Sequence, residues 1–62
     1  GNLRLTGNFE IAEVKILNAL GSLQYEVQVK SGELIWLDLP QGIYIVEMTA
    51  GETTTTEKII IQ

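Results

Sequence analysis

Side-chain catalysis most often rests on a histidine, a cysteine or a pair of carboxylates, and this chain of 62 residues contains neither of the first two. Without His it lacks the commonest general base and the commonest metal ligand. Without Cys it has no thiolate nucleophile, no thiolate metal site and no disulfide. Eight acids remain. Glu10 with Glu13, or Asp38 beside a neighbouring strand's Glu, would be the pairs to act as general acid and base. Acids scattered over so small a surface fall close together by chance, and a chain this short has little room for a cleft. Ser22 or Ser31 near a lysine would imitate a Ser-Lys dyad, but both stand among turn residues and read as turn formers. The glycines fall singly, so no loop is built to cradle phosphate. These residues point away from an enzyme, a cofactor or a metal. They point toward a structural, binding or addressing module.

Charge narrows the partners. Four bases (Arg4, Lys15, Lys30, Lys58) stand against the eight acids, for a net charge of −4, and no two bases are adjacent. Nucleic acid requires a clustered cationic face, and an anionic membrane surface repels a chain of this balance. No apolar run approaches the roughly 20 residues of a bilayer span, so direct membrane insertion is not expected. Nor does the N-terminus read as a secretory signal; if the module is exported, a preceding part of a longer protein carries that signal. The length suits one small domain, whose stability should be marginal because it buries only about 60% of its unfolded surface.

The elements that would position any site are short strands cut at regular intervals by turns. Leu3-Arg4-Leu5 alternates and meets a turn cluster at Thr6-Gly7-Asn8. A β-branched run over 13–17 ends at Asn18-Ala19-Leu20-Gly21-Ser22. Leu23–Lys30 then alternates apolar and polar through all its residues, the pattern of a strand with one wet face. Ser31-Gly32 predicts a tight hairpin turn into a strand over 33–37. Asp38-Leu39-Pro40-Gln41-Gly42 is the strongest turn, with Pro40 fixing φ and Gly42 free to take a positive φ. The strand over 43–49 is apolar on both faces in its first half, which predicts a central strand covered on both sides or one whose outer face meets something else. Ala50-Gly51-Glu52 is another hairpin turn, and Thr53–Ile61 the final strand. No segment reads as an amphipathic helix. The fold class predicted is all-β, a small antiparallel immunoglobulin-like β-sandwich of about six to seven strands joined by hairpins.

Three side chains invite a role. Trp36, between Ile35 and Leu37, reads as a core or core-edge anchor in preference to a binding hot spot. Tyr44 follows the Pro-Gly turn, where its ring can pack and its hydroxyl return to a nearby backbone group. Lys58 interrupts an uncharged strand beside Glu57, as an edge-strand gatekeeper does. That final strand is also an edge to which a partner's sheet can add.

Leu39-Pro40-Gln41-Gly42-Ile43-Tyr44-Ile45-Val46 gives the pattern Leu-Pro-x-Gly-x-Tyr-x-Val. After a short hairpin come a strand with Lys58 and an end at Gln62. Together these resemble the C-terminal sorting domain of the type IX (Por) secretion system of Bacteroidetes. Val14-Lys15-Ile16-Leu17-Asn18-Ala19-Leu20-Gly21 is similar to that family's V-x-I-x-N-x-x-G segment, and Tyr25-Glu26-Val27 and Ser31-Gly32-Glu33 to its next strand and hairpin. The likeness runs from about Leu3 to Gln62. Two departures stand out: no Pro-Asn-Pro-like strand precedes Leu3, and Ser22 stands where the family often has Gln or Lys.

The resemblance implies an immunoglobulin-like domain over 1–62, the last module of a longer secreted protein, with the family's first strand missing. It implies a sorting signal that carries an N-terminal cargo domain across the outer membrane and performs no chemistry. The implied partners are the outer-membrane type IX machinery and its sortase, which removes the domain at a site upstream of the sandwich. The implied location is the periplasm in transit, then the cell surface or medium. Leu39, Pro40, Gly42, Tyr44 and Val46 match the penultimate motif, and Lys58, Ile59, Ile60, Ile61 and Gln62 the terminal one; these are the partner-recognition candidates. An edge left open by a missing strand makes a strand-exchanged homodimer an expectation too. The competing expectation is an immunoglobulin-like or fibronectin-like accessory or adhesion module of a multidomain surface protein.

Overall fold

The computed structural model describes Asn2–Arg4 and residues 9–62; the turn expected at Thr6-Gly7-Asn8 lies outside them. Six strands follow one another: β1 (Asn2–Arg4), β2 (Ile11–Asn18), β3 (Leu23–Lys30), β4 (Leu34–Trp36), β5 (Gly42–Ala50) and β6 (Thr53–Ile61). Among the described residues there is no helix. β3, β2, β5 and β6 form a four-stranded antiparallel sheet in that order, and β1 pairs with β4 in a separate two-stranded ladder.

Alternation decides which side of the sheet is dry. Along β2, Ala12, Val14 and Ile16 are buried, while Ile11 before them and Glu13 between them are exposed. Val14 lies opposite Val27 on one side and Met48 on the other; Ile16 lies between Tyr25 and Val46. Cross-strand apolar pairs of this kind are the unit from which a sheet draws its stability. Ile35 and Leu37 join the same buried cluster from the other layer, with Leu39 and Phe9 packed against it. No polar or charged side chain is buried among the described residues.

Three expectations change. The Ser31-Gly32 turn forms, with the Glu33 amide donating to the Lys30 carbonyl at 3.0 Å and the Lys30 amide to the Glu33 carboxylate at 3.0 Å. It does not make a hairpin, because β4 pairs with β1 and the chain changes layers there. Among the described residues, hairpins join only β2 to β3 and β5 to β6. Trp36 is not a core anchor but is 69% exposed. Ile35, Leu37 and Leu39 take the inward positions, so alternation turns Trp36 outward. On β5 the central position is as expected, between β2 and β6, and of its two alternatives the one that changes is cover on both sides, since the outer face is open at Ile43.

Turn glycines divide their work. Gly51 has φ +63° in the two-residue loop between Ala50 and Thr53, and Glu52 has no positive φ. That is the II′ pattern, which matches the twist of a hairpin. The positive φ expected at Gly42 is found at +159°, on the margin of extended backbone, where Gly42 opens β5.

Ile16 is fully buried at the centre of the sheet. Truncating such a residue to Ala costs about 2–5 kcal/mol, against about 3–5 kcal/mol from the core of a domain this small. Ile16→Ala should therefore abolish the cooperative thermal transition, while Ile16→Val retains it. The same samples test the layer assignment by fluorescence. Trp36 should already emit as a water-exposed indole in the folded state, and a blue-shifted native spectrum would contradict it.

Candidate functional site

β5, β6, the segment that leads into β5 and Gln62 just past β6 make up the region of all ten recognition candidates, so the geometry there decides which of them a partner can reach. Between β4 and β5, Leu37 is buried and Leu39 half-buried, which seats the crossing segment on the core. Pro40 follows, exposed, with its carbonyl turned back toward the sheet. The Tyr44 hydroxyl donates to that carbonyl at 2.6 Å. Tyr44 itself is buried, so the bond ties a core side chain to the corner four residues upstream. This is the return to backbone expected of that tyrosine.

Strand parity then separates the remaining candidates. Tyr44, Val46 and Ile61 are buried, and Ile59 packs half-buried against them. Lys58, Ile60 and Gln62 are exposed. The motif residues Leu39, Tyr44 and Val46 are thus core, and the accessible candidates are Pro40, Lys58, Ile60 and Gln62. Among the described residues β6 is the outermost strand of its sheet, so one side of its backbone has no strand partner there.

Residues that the motif skips share the outward face with Lys58 and Ile60. Ile45 lies opposite Lys58 and also opposite Leu17, while Ile43 lies opposite Ile60. Leu17 in turn pairs with Leu23 across a register shift after Ile16. The shift is a bulge, with Gln24 as the extra residue, and it moves Leu23 off the inward parity of Tyr25 and Val27. Leu23 is accordingly exposed, not on the dry face where the alternation of Leu23–Lys30 puts it. The neighbouring turn is closed by Asn18, whose side-chain oxygen accepts from the amides of Leu20 at 3.0 Å and Ser22 at 2.9 Å.

The other half of that face is polar. Lys15 sits between Glu13 at 3.9 Å and Glu26 at 3.8 Å. Thr49 and Thr54 share a hydrogen bond of 3.1 Å between their hydroxyls.

The carboxylate pairs do not assemble into a catalytic centre. Glu10 lines a shallow cavity of about 460 Å³ with Phe9, Ile11, Ala50 and Gly51, and none of these offers a second titratable group. Glu13 faces Lys15 on the outward face, and Asp38 is exposed. Ser22 closes its turn through its backbone, and the Ser31 amide donates to the Glu10 carbonyl at 3.2 Å. Among the described residues no group of three or more acids, His or Cys is placed to hold a metal ion, and no helix is long and apolar enough to cross a membrane.

Compared with known families, residues 1–62 match the one described as secretion system C-terminal sorting domain, the sorting domain of type IX secretion. The chain belongs to this family. No curated protein and no solved structure matches it. A type IX sorting domain interacts with the type IX machinery and serves export to the cell surface or extracellular space. The Leu-Pro-x-Gly-x-Tyr-x-Val residues that carry the likeness are, in this sorting domain, largely the ones that hold the corner together. Sequence reasoning gave no role to Leu17 and Leu23. The signal within reach was the double-sided apolarity at the start of β5, which points to the outward face at Ile43 and Ile45.

Tyr44→Phe should cost about 1–2 kcal/mol, because it leaves the Pro40 carbonyl without its donor. At about 4–8 °C per kcal/mol for a domain of this size, thermal denaturation followed by circular dichroism would register the loss. An unchanged midpoint would show that the corner does not depend on this bond.

Proposed function

We propose that residues 1–62 act as a C-terminal sorting signal that directs an N-terminal cargo domain from the periplasm across the outer membrane through the type IX machinery, without chemistry of its own. The observation that carries this reading is the family match over the whole chain. On this reading the domain is the last module of its cargo protein, and a surface sortase removes it once the cargo is across. The corner tyrosine and the strand that changes layers support an immunoglobulin-like arrangement. Leu39, Gly42, Tyr44, Val46, Ile59 and Ile61 then act by holding the fold, while Pro40, Lys58, Ile60 and Gln62 are available to a partner. β6, with its unpaired side, admits addition to a partner's sheet, and the free edges admit strand exchange between two copies.

The test is a periplasm-targeted reporter carrying residues 1–62 at its C-terminus, expressed in a bacterium that possesses the type IX system. The intact fusion should reach the medium or the cell surface. A version with extra residues after Gln62 leaves Ile61 in the core yet should stay in the periplasm. A version lacking 59–62 should be retained as well. An accessory or adhesion module would tolerate the extension, so export of the extended fusion at the level of the intact one would contradict the proposal. Lys58→Ala sharpens the same assay: the side chain is exposed, and the change should leave the melting midpoint near its original value while reducing export.

A further inference from the structure

We infer that the outward apolar patch formed by Leu17, Leu23, Ile43, Ile45 and Ile60, with Lys58 at its rim, is the surface through which this domain docks on a protein partner that presents an apolar area bordered by a carboxylate. The inference rests on the sorting-signal reading and specifies which face of the domain that machinery contacts.

The patch is contiguous by register. Leu23, Leu17, Ile45 and Lys58 form one row across all four strands, and Ile43 opposite Ile60 forms the next. Leu23, Ile43 (49%) and Ile60 (65%) are exposed, and Leu17 and Ile45 between them are half-buried. Singly exposed apolar residues need no explanation, but a connected group rimmed by a charge marks an interaction site. Alternation makes the point sharper. Polar residues at the exposed positions Leu23, Ile43 and Ile60 would take nothing from the core, since Tyr44, Val46, Ile59 and Ile61 already supply it from the opposite parity.

Charge selects the occupant. Lys15, on the same face, is neutralised by Glu13 and Glu26, whereas Lys58 makes no ion pair among the described residues. Covering the patch strips water from Lys58, and a cation so desolvated is costly unless an acceptor meets it. The partner must therefore bring an acidic group beside its apolar surface. An anionic lipid surface is the poorer fit. One lysine is worth about 1 kcal/mol there, and Glu13, Glu26 and Glu47 project from the same face of the sheet.

The reporter fusion tests this with Ile43→Thr/Ile60→Thr, Lys58→Glu and Lys58→Arg. A control, Thr54→Ser, lies on the same face outside the patch. Threonine keeps the β-branching that exposed strand positions favour, so the fold should persist. The threonine double variant and Lys58→Glu should each lower the secreted fraction by about tenfold, the effect of losing roughly 1.4 kcal/mol of binding. Lys58→Arg and Thr54→Ser should export normally, and all variants should keep cooperative melting. If the unmodified fusion is not exported, the sorting-signal reading fails and this inference with it. If the unmodified fusion, the threonine double variant and Lys58→Glu are exported alike, only the docking surface is overturned. A dimer of residues 1–62 in size-exclusion chromatography that becomes monomeric in the double variant would assign the patch to a second copy instead. Flotation of residues 1–62 with phosphatidylethanolamine and phosphatidylglycerol vesicles, lost in Lys58→Glu, would assign it to a membrane.

Discussion

Every other feature depends on a sheet that is dry on one face only. Ala12, Val14 and Ile16 on β2, and Tyr44 and Val46 on β5, share a single core with Ile35 and Leu37 from the small ladder. A strand turns its side chains to opposite faces in strict succession, so this core fixes the orientation of all their neighbours. A shift of one residue in register would exchange the whole set. In a domain with so little interior, that shift leaves nothing to hold the chain together.

The family motif takes on physical meaning in this frame. Leu39 seats the crossing segment, Pro40 supplies a carbonyl that is not engaged in a strand ladder, and Tyr44 reaches back to it from the core at 2.6 Å. Val46 continues the same inward parity two residues on. Spacings of two between Gly42, Tyr44 and Val46 are therefore packing distances along a strand. A motif of this kind records how the corner is built, and of the positions it leaves open Gln41 and Ile43 are exposed and Ile45 is half-buried on the outward face.

Much of this was legible in the sequence. Leu23–Lys30 was bounded by its own alternation, and the Pro-Gly corner with its tyrosine followed from local chemistry. What escaped was set by partners distant in the chain. The turn at Ser31-Gly32 is a sound turn either way; only the pairing of β4 with β1 makes it a change of layer. Trp36 lies in a run that is apolar on both parities, so size suggested burial where register placed Ile35 and Leu37 inside. Leu23 was misjudged because a bulge is invisible to simple alternation. On the functional side, the motif draws attention to the segment from Leu39 to Gln62, but the sequence does not sort its residues into those that hold the fold and those that face outward.

The most direct measurement is a substitution scan across 42–62 in which each variant is read twice, once for thermal stability and once for export of the fused reporter. The account predicts a period of two in the difference between the readings. Inward positions such as Tyr44, Val46, Ile59 and Ile61 should lose stability and export together, while exposed outward positions such as Ile43, Lys58 and Ile60 should lose export with stability intact. An export defect that follows stability at every position, with no such alternation, would contradict the separation of a structural face from a contact face.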